Sequence, residues 1–217
     1  MPVRSIKKSK YSLRGNYTTD QFPNGHDFES SLERDFLYLI DYDHTVTSFE
    51  TQPVRIDYKE AGKARSYTPD LLIHYYFDGK GVRKPPMLCE VKYREDLRLN
   101  WKALKPKFAA AIQYANERGW KLRIITEREI RTPYLSNVKF LSGYRNIDIR
   151  AELIHEVIDI ASEKNITTPE ELLLISNKVG NDKAELIPAI WHQVANQFFG
   201  CDLSQKLTMT SKIWYTR

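Results

Sequence analysis

Apolar positions recur along this chain with two spacings, and the spacings divide it. In "FESSLERDFLYLIDYD", Leu32, Phe36, Leu39 and Ile40 fall on one face at helical spacing. Ser30 stands before that run and Glu33 three residues later, the pattern of a capping box. "SFETQPVRIDY" alternates at Val54, Ile56 and Tyr58 and reads as a strand, with Pro53 near an edge or bend. "DLLIHYYF" is a second strand and "MLCEVKY" a third. "DGKGVRKPP" joins them, and its Asp-Gly start suggests a hairpin turn. The next segment is a helix: Pro106 suits its first turn, Phe108, Ala111, Ile112 and Ala115 share a face, and Gly119 stops it. "WKLRIIT" is a fourth strand, which a helical crossover allows to pair in parallel with its neighbour. "TEREI" begins another helix or turn. These elements predict an α/β domain built on a mixed sheet.

The remainder has a different rhythm. "IRAELIHEVIDIASEK", "TPEELLLISNKVG" and "KAELIPAIWHQVANQFFG" read as three helices. The second opens on a Thr cap, a Pro at the first position and two acids in the first turn. "CDLSQKLTMTSKIWYTR" holds two short alternating pieces. Three helices and a hairpin predict a small winged-helix domain. The expected division is a basic arm at 1–28, the mixed-sheet domain at 29–147 and the winged helix at 148–217.

Charge sharpens this picture. The formal net charge of the 217-residue chain is +5, but its distribution says more. Residues 1–19 carry five basic side chains and no acid. From Lys80 to Arg131 there are fourteen Lys or Arg against six Asp or Glu, whereas from Ala151 to the end acids lead by nine to six. A polyanion would therefore be drawn to the segment around "CEVK". The apolar runs fall well short of the ~18 residues of a membrane helix, and the basic N-terminus lacks the apolar stretch of a secretory signal. Two distant cysteines, Cys89 and Cys201, suit a reducing compartment and provide neither a disulfide framework nor a zinc site. A cytoplasmic protein that works on DNA is expected.

The strands hold the candidate chemistry. Alternation along "LCEVKY" sends Met87, Cys89, Val91 and Tyr93 to one face and Leu88, Glu90 and Lys92 to the other. A carboxylate in mid-strand needs a partner. Asp70, after Pro69 at the mouth of the preceding strand, can converge on Glu90 and Lys92 through a hairpin. Two close carboxylates repel unless a cation lies between them. Mg²⁺ takes such hard oxygen ligands, can lower the pKa of a bound water, and neutralises charge on a phosphate. Lys92 would orient or help deprotonate that water, or touch the phosphate. The set suits phosphodiester hydrolysis and matches the PD…(D/E)xK pattern of restriction-endonuclease-like nucleases.

With "FESSLERDFLYLIDYDHTVTSFETQP", "YTPDLLIHYY", "CEVKYREDL" and "IITEREI" taken together in order, the chain resembles the TnsA-type endonucleases of heteromeric transposases, from about residue 10 onward. The resemblance implies that Glu33 joins Asp70, Glu90 and Lys92 as catalytic residues. It also implies that Asp70, Glu90 and the Val91 carbonyl hold Mg²⁺, with Mn²⁺ a workable substitute. Gln52 of "ETQP" matches a family signature and is a site neighbour. The implied fold is a restriction-endonuclease-like domain followed by a winged helix. The implied activity is cleavage of the non-transferred strand at the 5′ side of transposon ends. The implied partners are transposon-end DNA, a TnsB-type transposase and a TnsC-type ATPase regulator, with no membrane.

Plainer readings stand beside these. Glu33 is also the third residue of a capping box. Asp70 could simply start a strand, and Glu90–Lys92 could be an ion pair on a solvated face. The five histidines lack zinc-ligand spacing. Arg14, Lys102, Lys105 and Lys107 are candidate phosphate contacts, or merely solvated. A stand-alone restriction or repair nuclease, and an inactive DNA-docking scaffold, are the competing functions.

Overall fold

The computed structural model describes residues 13–19, 25–77, 81–82, 84–176 and 183–216. The expected basic arm falls largely outside them, as does the Asp-Gly start of the expected hairpin. The contacts divide the chain into two compact units, Met1–Ile130 and Arg131–Arg217. The division thus falls at residue 130, earlier than the 147 expected from the sequence.

The first unit begins with a short antiparallel pair, β1 (Gly15–Tyr17) and β2 (His26–Phe28). Helix α1 (Ser31–Tyr42) follows, capped by the Ser30 side chain, which accepts the Glu33 N–H. Its buried apolar face is Leu32, Phe36, Leu37 and Ile40; Leu39, expected there, is only half-buried. The central sheet has four strands in the order β3 (Val46–Thr51), β6 (Leu71–Tyr75), β7 (Met87–Val91), β8 (Lys121–Ile125). The first two pairings are antiparallel and β7–β8 is parallel, as the helical crossover requires.

Two elements depart from the sequence expectation. The "PVRIDY" strand is β4 (Ile56–Glu60), and it stays out of the central sheet. It pairs with β5 (Lys63–Tyr67) across a two-residue turn, Ala61–Gly62, whose residues both have positive φ. That geometry matches the right-handed strand twist of a tight hairpin. The crossover helix α2 runs Arg94–Asn116, so Pro106 lies in its interior rather than its first turn. Proline cannot donate the helical hydrogen bond there, and it marks a change in the helix. All the buried residues of α2 (Phe108, Ala111 and Ala115) lie after it, and Ile112 is exposed. Ala111 and Ala115 pack with Leu72, Leu88, Ile56 and Tyr67. This cluster clamps α2 and the hairpin onto the face of β7 that carries Glu90. A short helix α3 (Glu127–Ile130) ends the unit.

The second unit opens with α4 (Pro133–Ser142), absent from the sequence reading. Then come α5 (Ala151–Lys164), β9 (Ile166–Thr167), α6 (Pro169–Ser176), α7 (Lys183–Ala195), β10 (Phe199–Cys201) and β11 (Ile213–Tyr215). The three expected helices are present. The expected Thr cap of α6 is Thr168, and it exchanges capping-box bonds with Glu171. The terminal hairpin gains β9 as a third antiparallel strand, in the order β10-β11-β9. Among the described residues, no helix is long and apolar enough to cross a membrane.

Candidate active site

The backbone fixes Asp70 first. Its N–H donates to the Cys89 carbonyl (3.0 Å), and its own carbonyl accepts from Gln52 N–H (2.8 Å). Gln52 reaches that position with φ of +49°, so its contribution here is made by the main chain, at a strained turn just after β3. The Asp70 carboxylate then accepts the Val91 N–H at 2.7 Å. On the other edge of β7, the Lys92 N–H donates to Ile125 of β8 (3.0 Å). The N–H and C=O of one strand residue point the same way. The Val91 carbonyl is therefore turned to the Asp70 side.

Glu90 lies on the opposite face of β7 from Cys89 and is 2% exposed. Both of its oxygens are engaged. Oε1 meets Lys107 Nζ at 2.8 Å and Lys92 Nζ at 3.1 Å. Oε2 accepts the Tyr67 hydroxyl at 2.5 Å. Burial would raise the Glu90 pKa, but the two ammonium groups and the hydrogen bonds outweigh it and hold the group below the usual carboxylate range. Asp70 moves the other way. Burial, and then the neighbouring Glu90 and Glu33 carboxylates, push it well above its ordinary value despite the Val91 N–H and Lys92. Burial alone would lower Lys92, but Glu90 and Asp70 overcome it and raise the group. In this arrangement Lys92 is an ammonium donor rather than a base.

Glu33 occupies both of its possible roles at once. Its carboxylate accepts from Glu29 N–H (2.9 Å) and Ser30 Oγ (2.8 Å), completing the helix cap. It also lines, with Asp70, Thr51, Gln52 and Leu71, a cavity of about 30 Å³. Burial raises Glu33 above the ordinary Glu range. Lys102, Lys105 and Lys107, candidate phosphate contacts or solvated side chains by sequence, differ here. Lys102 and Lys105 are exposed on the free half of α2, and Arg14 is exposed beside β1. Lys107 turns inward to Glu90, with its ammonium 4.4 Å from the centre of the Tyr67 ring. Tyr67 was missed altogether. Its only signal was an aromatic residue two positions before Pro69. Cys89 is buried, and burial and Asp70 push its thiol up to about 12, so it is inert. His74 faces Glu50, at 3.7 Å, rather than the acids.

The oxygen donors suit a hard cation in kind: two carboxylates and a carbonyl on one sheet end, beside a polar cavity large enough for a water. Among the described residues, however, no three His, Cys, Asp or Glu side chains are gathered to hold a metal by themselves. Both oxygens of Glu90 are already engaged, by the two lysine ammonium groups and the Tyr67 hydroxyl.

A mixed sheet with an acid at the mouth of one strand and Glu-Val-Lys in the next fits the restriction-endonuclease-like nucleases. More specifically, residues 43–127 match the family described as TnsA-like endonuclease N terminal. The match runs from just before β3 to the start of α3 and takes in Asp70, Glu90 and Lys92, while Glu33 lies before it. That stretch, which holds the central sheet and the crossover helix, is thus similar to the TnsA-like endonuclease N-terminal domain. No curated protein matches the chain.

Proposed function

We propose that this protein is a metal-dependent DNA endonuclease subunit of a cut-and-paste transposon, cleaving the non-transferred strand at the 5′ side of the transposon ends. One observation carries the reading: within the stretch similar to TnsA-like endonucleases, Asp70 is bonded to the Val91 N–H while the buried Glu90 of β7 pairs with Lys92, just past the end of that strand. Asp70, Glu90 and the Val91 carbonyl would hold Mg²⁺, or Mn²⁺ in its place. Bound there, the ion would neutralise phosphate charge and acidify a water. Lys92 gives its ammonium to a phosphate oxygen or to the attacking water. Glu33 faces the cavity beside Asp70 and orients water there. Hydrolysis joins the water oxygen to phosphorus as one sugar–phosphate bond breaks, and the departing oxygen takes up a proton. Lys102, Lys105 and Arg14 are exposed cations available to the DNA backbone.

The partners in this reading are a TnsB-type transposase, which cuts and joins the 3′ ends, and a TnsC-type ATPase regulator. The second unit is read as a winged helix. After α4, its helix–strand–helix–helix–hairpin order supports that reading, and the excess of acids from Ala151 onward favours docking to protein at least as much as to DNA.

The test is strand-resolved cleavage of an end-labelled transposon end, with Mg²⁺ and the transposase present and Glu90→Ala in parallel. A 5′ nick that needs the transposase and disappears in the variant is expected. An unassisted nick would favour a stand-alone nuclease. Binding without any nick would favour a scaffold, a reading that the lysine-saturated Glu90 supports.

A further inference from the structure

We propose that Lys107 is the resident cation of this site, a positioning residue that holds Glu90 Oε1 in competition with the divalent ion. The inference rests on the reading of Asp70 and Glu90 as metal ligands and goes beyond it. Lys107 makes the shorter of the two ammonium contacts to Glu90, 2.8 Å against 3.1 Å for Lys92. Its side chain is also the less exposed of the two, 18% against 28%. A lysine meant only for DNA phosphate would point outward, as Lys102 and Lys105 do from the same helix. Burying an ammonium is unfavourable without a charged partner, and Glu90 is that partner.

The packing holds Lys107 in place. It lies one turn before Ala111, which has no exposed surface, on the half of α2 locked against Leu88 and Leu72. The faces of Tyr67 and Phe108 flank its ammonium at 4.4 and 5.1 Å. Tyr67 meanwhile holds the other Glu90 oxygen. Glu90 is thus kept in the site, fully satisfied, before any ion arrives. An incoming ion must take Oε1 from Lys107. The displaced ammonium then needs a new anion, and a DNA phosphate supplies one, so ion and DNA reinforce each other's binding.

Calorimetric titration of the full chain with Mn²⁺ alone, without DNA, tests the competition. Lys107→Met should tighten Mn²⁺ binding on the order of tenfold, because a unit charge has been removed from beside a ligand oxygen. Lys107→Arg, which keeps the charge, should stay within about threefold of the parent. Glu90→Gln should lose binding. Should Lys107→Met fail to fold by circular dichroism, Lys107→Gln carries the same expectation. Unchanged or weaker Mn²⁺ binding in the neutral variant, with binding still lost in Glu90→Gln, overturns the role of Lys107 alone. Parent-like binding in Glu90→Gln overturns the ligand reading beneath it, and the proposal with it.

Discussion

Glu90→Gln and Asp70→Asn each remove one negative charge from the same strand ends, yet they should move stability in opposite directions. Glu90 is buried against two ammonium groups, and its ionised form is favoured by the fold. Removing one partner of a buried ion pair costs roughly 3–5 kcal/mol. Here Lys92 and Lys107 keep 28% and 18% of their side-chain surface. They can therefore recover part of their hydration, and about 2–3 kcal/mol is the expected loss. For a chain of this size that lowers Tm by about 4–12 °C. Asp70 is instead raised by burial and by the Glu90 and Glu33 carboxylates, so its ionised form is disfavoured by the fold. Asn keeps an acceptor for the Val91 N–H while removing that charge, and Tm should rise. The pH dependence follows from the same signs. The contribution of Glu90 is present above the ordinary Glu value of about 4.3 and fades as pH falls through its lower folded value. The penalty from Asp70 is absent below the ordinary Asp value of about 3.9 and grows as pH rises through its higher folded value. Thermal denaturation by circular dichroism in EDTA, from pH 3.5 upward, reads both. A Glu90→Gln protein as stable as the parent at pH 7, or an Asp70→Asn protein less stable, would refute the electrostatic account of the site.

Asp70→Ala should abolish the 5′ nick while leaving 3′ joining possible, so that a transposition assay yields cointegrates; simple insertions at normal frequency would remove Asp70 from the chemistry. In the second unit, the buried Asn137 donates to the Leu203 and Gln205 carbonyls and accepts the Leu207 N–H, pinning the β10–β11 connection. Asn137→Ala orphans those groups and should cost about 1–3 kcal/mol, measured by urea denaturation. Gly200 faces Trp214 across the hairpin, and an added Cβ would fall 2.3 Å from its indole nitrogen. Gly200→Ala should therefore displace the indole, which a tryptophan fluorescence shift would report.

What was legible in the sequence was whatever a period and a few punctuating residues could encode. Strands β6, β7 and β8 announced themselves because their apolar runs are bounded by Pro, Gly and polar turns. The acids stood out because they interrupt those runs. Strand β5 was silent: Lys63, Ala64, Arg65 and Ser66 are exposed, and only Tyr67 turns inward. A solvated strand held by its partner's backbone carries no apolar alternation. Helix α4 was different, since Thr132-Pro133 followed by Leu135, Val138 and Leu141 is a helix start with one apolar face, and that signal was present to be used. The site divides along the same line. Asp70, Glu90 and Lys92 belong to one local pattern, so spacing could find them. Tyr67 and Lys107 belong to the site only because a hairpin outside the central sheet and a helix after it both close over the face of β7 that carries Glu90. Lys107 could not be placed because a lysine's partner is set by which side of the helix packs, and Pro106, about three turns into an apparently polar helix, hid where packing begins. A motif therefore names the groups that can do the chemistry, and the surrounding packing sets their charge state. In this site it leaves one motif acid stabilised by its charge and the other strained by it.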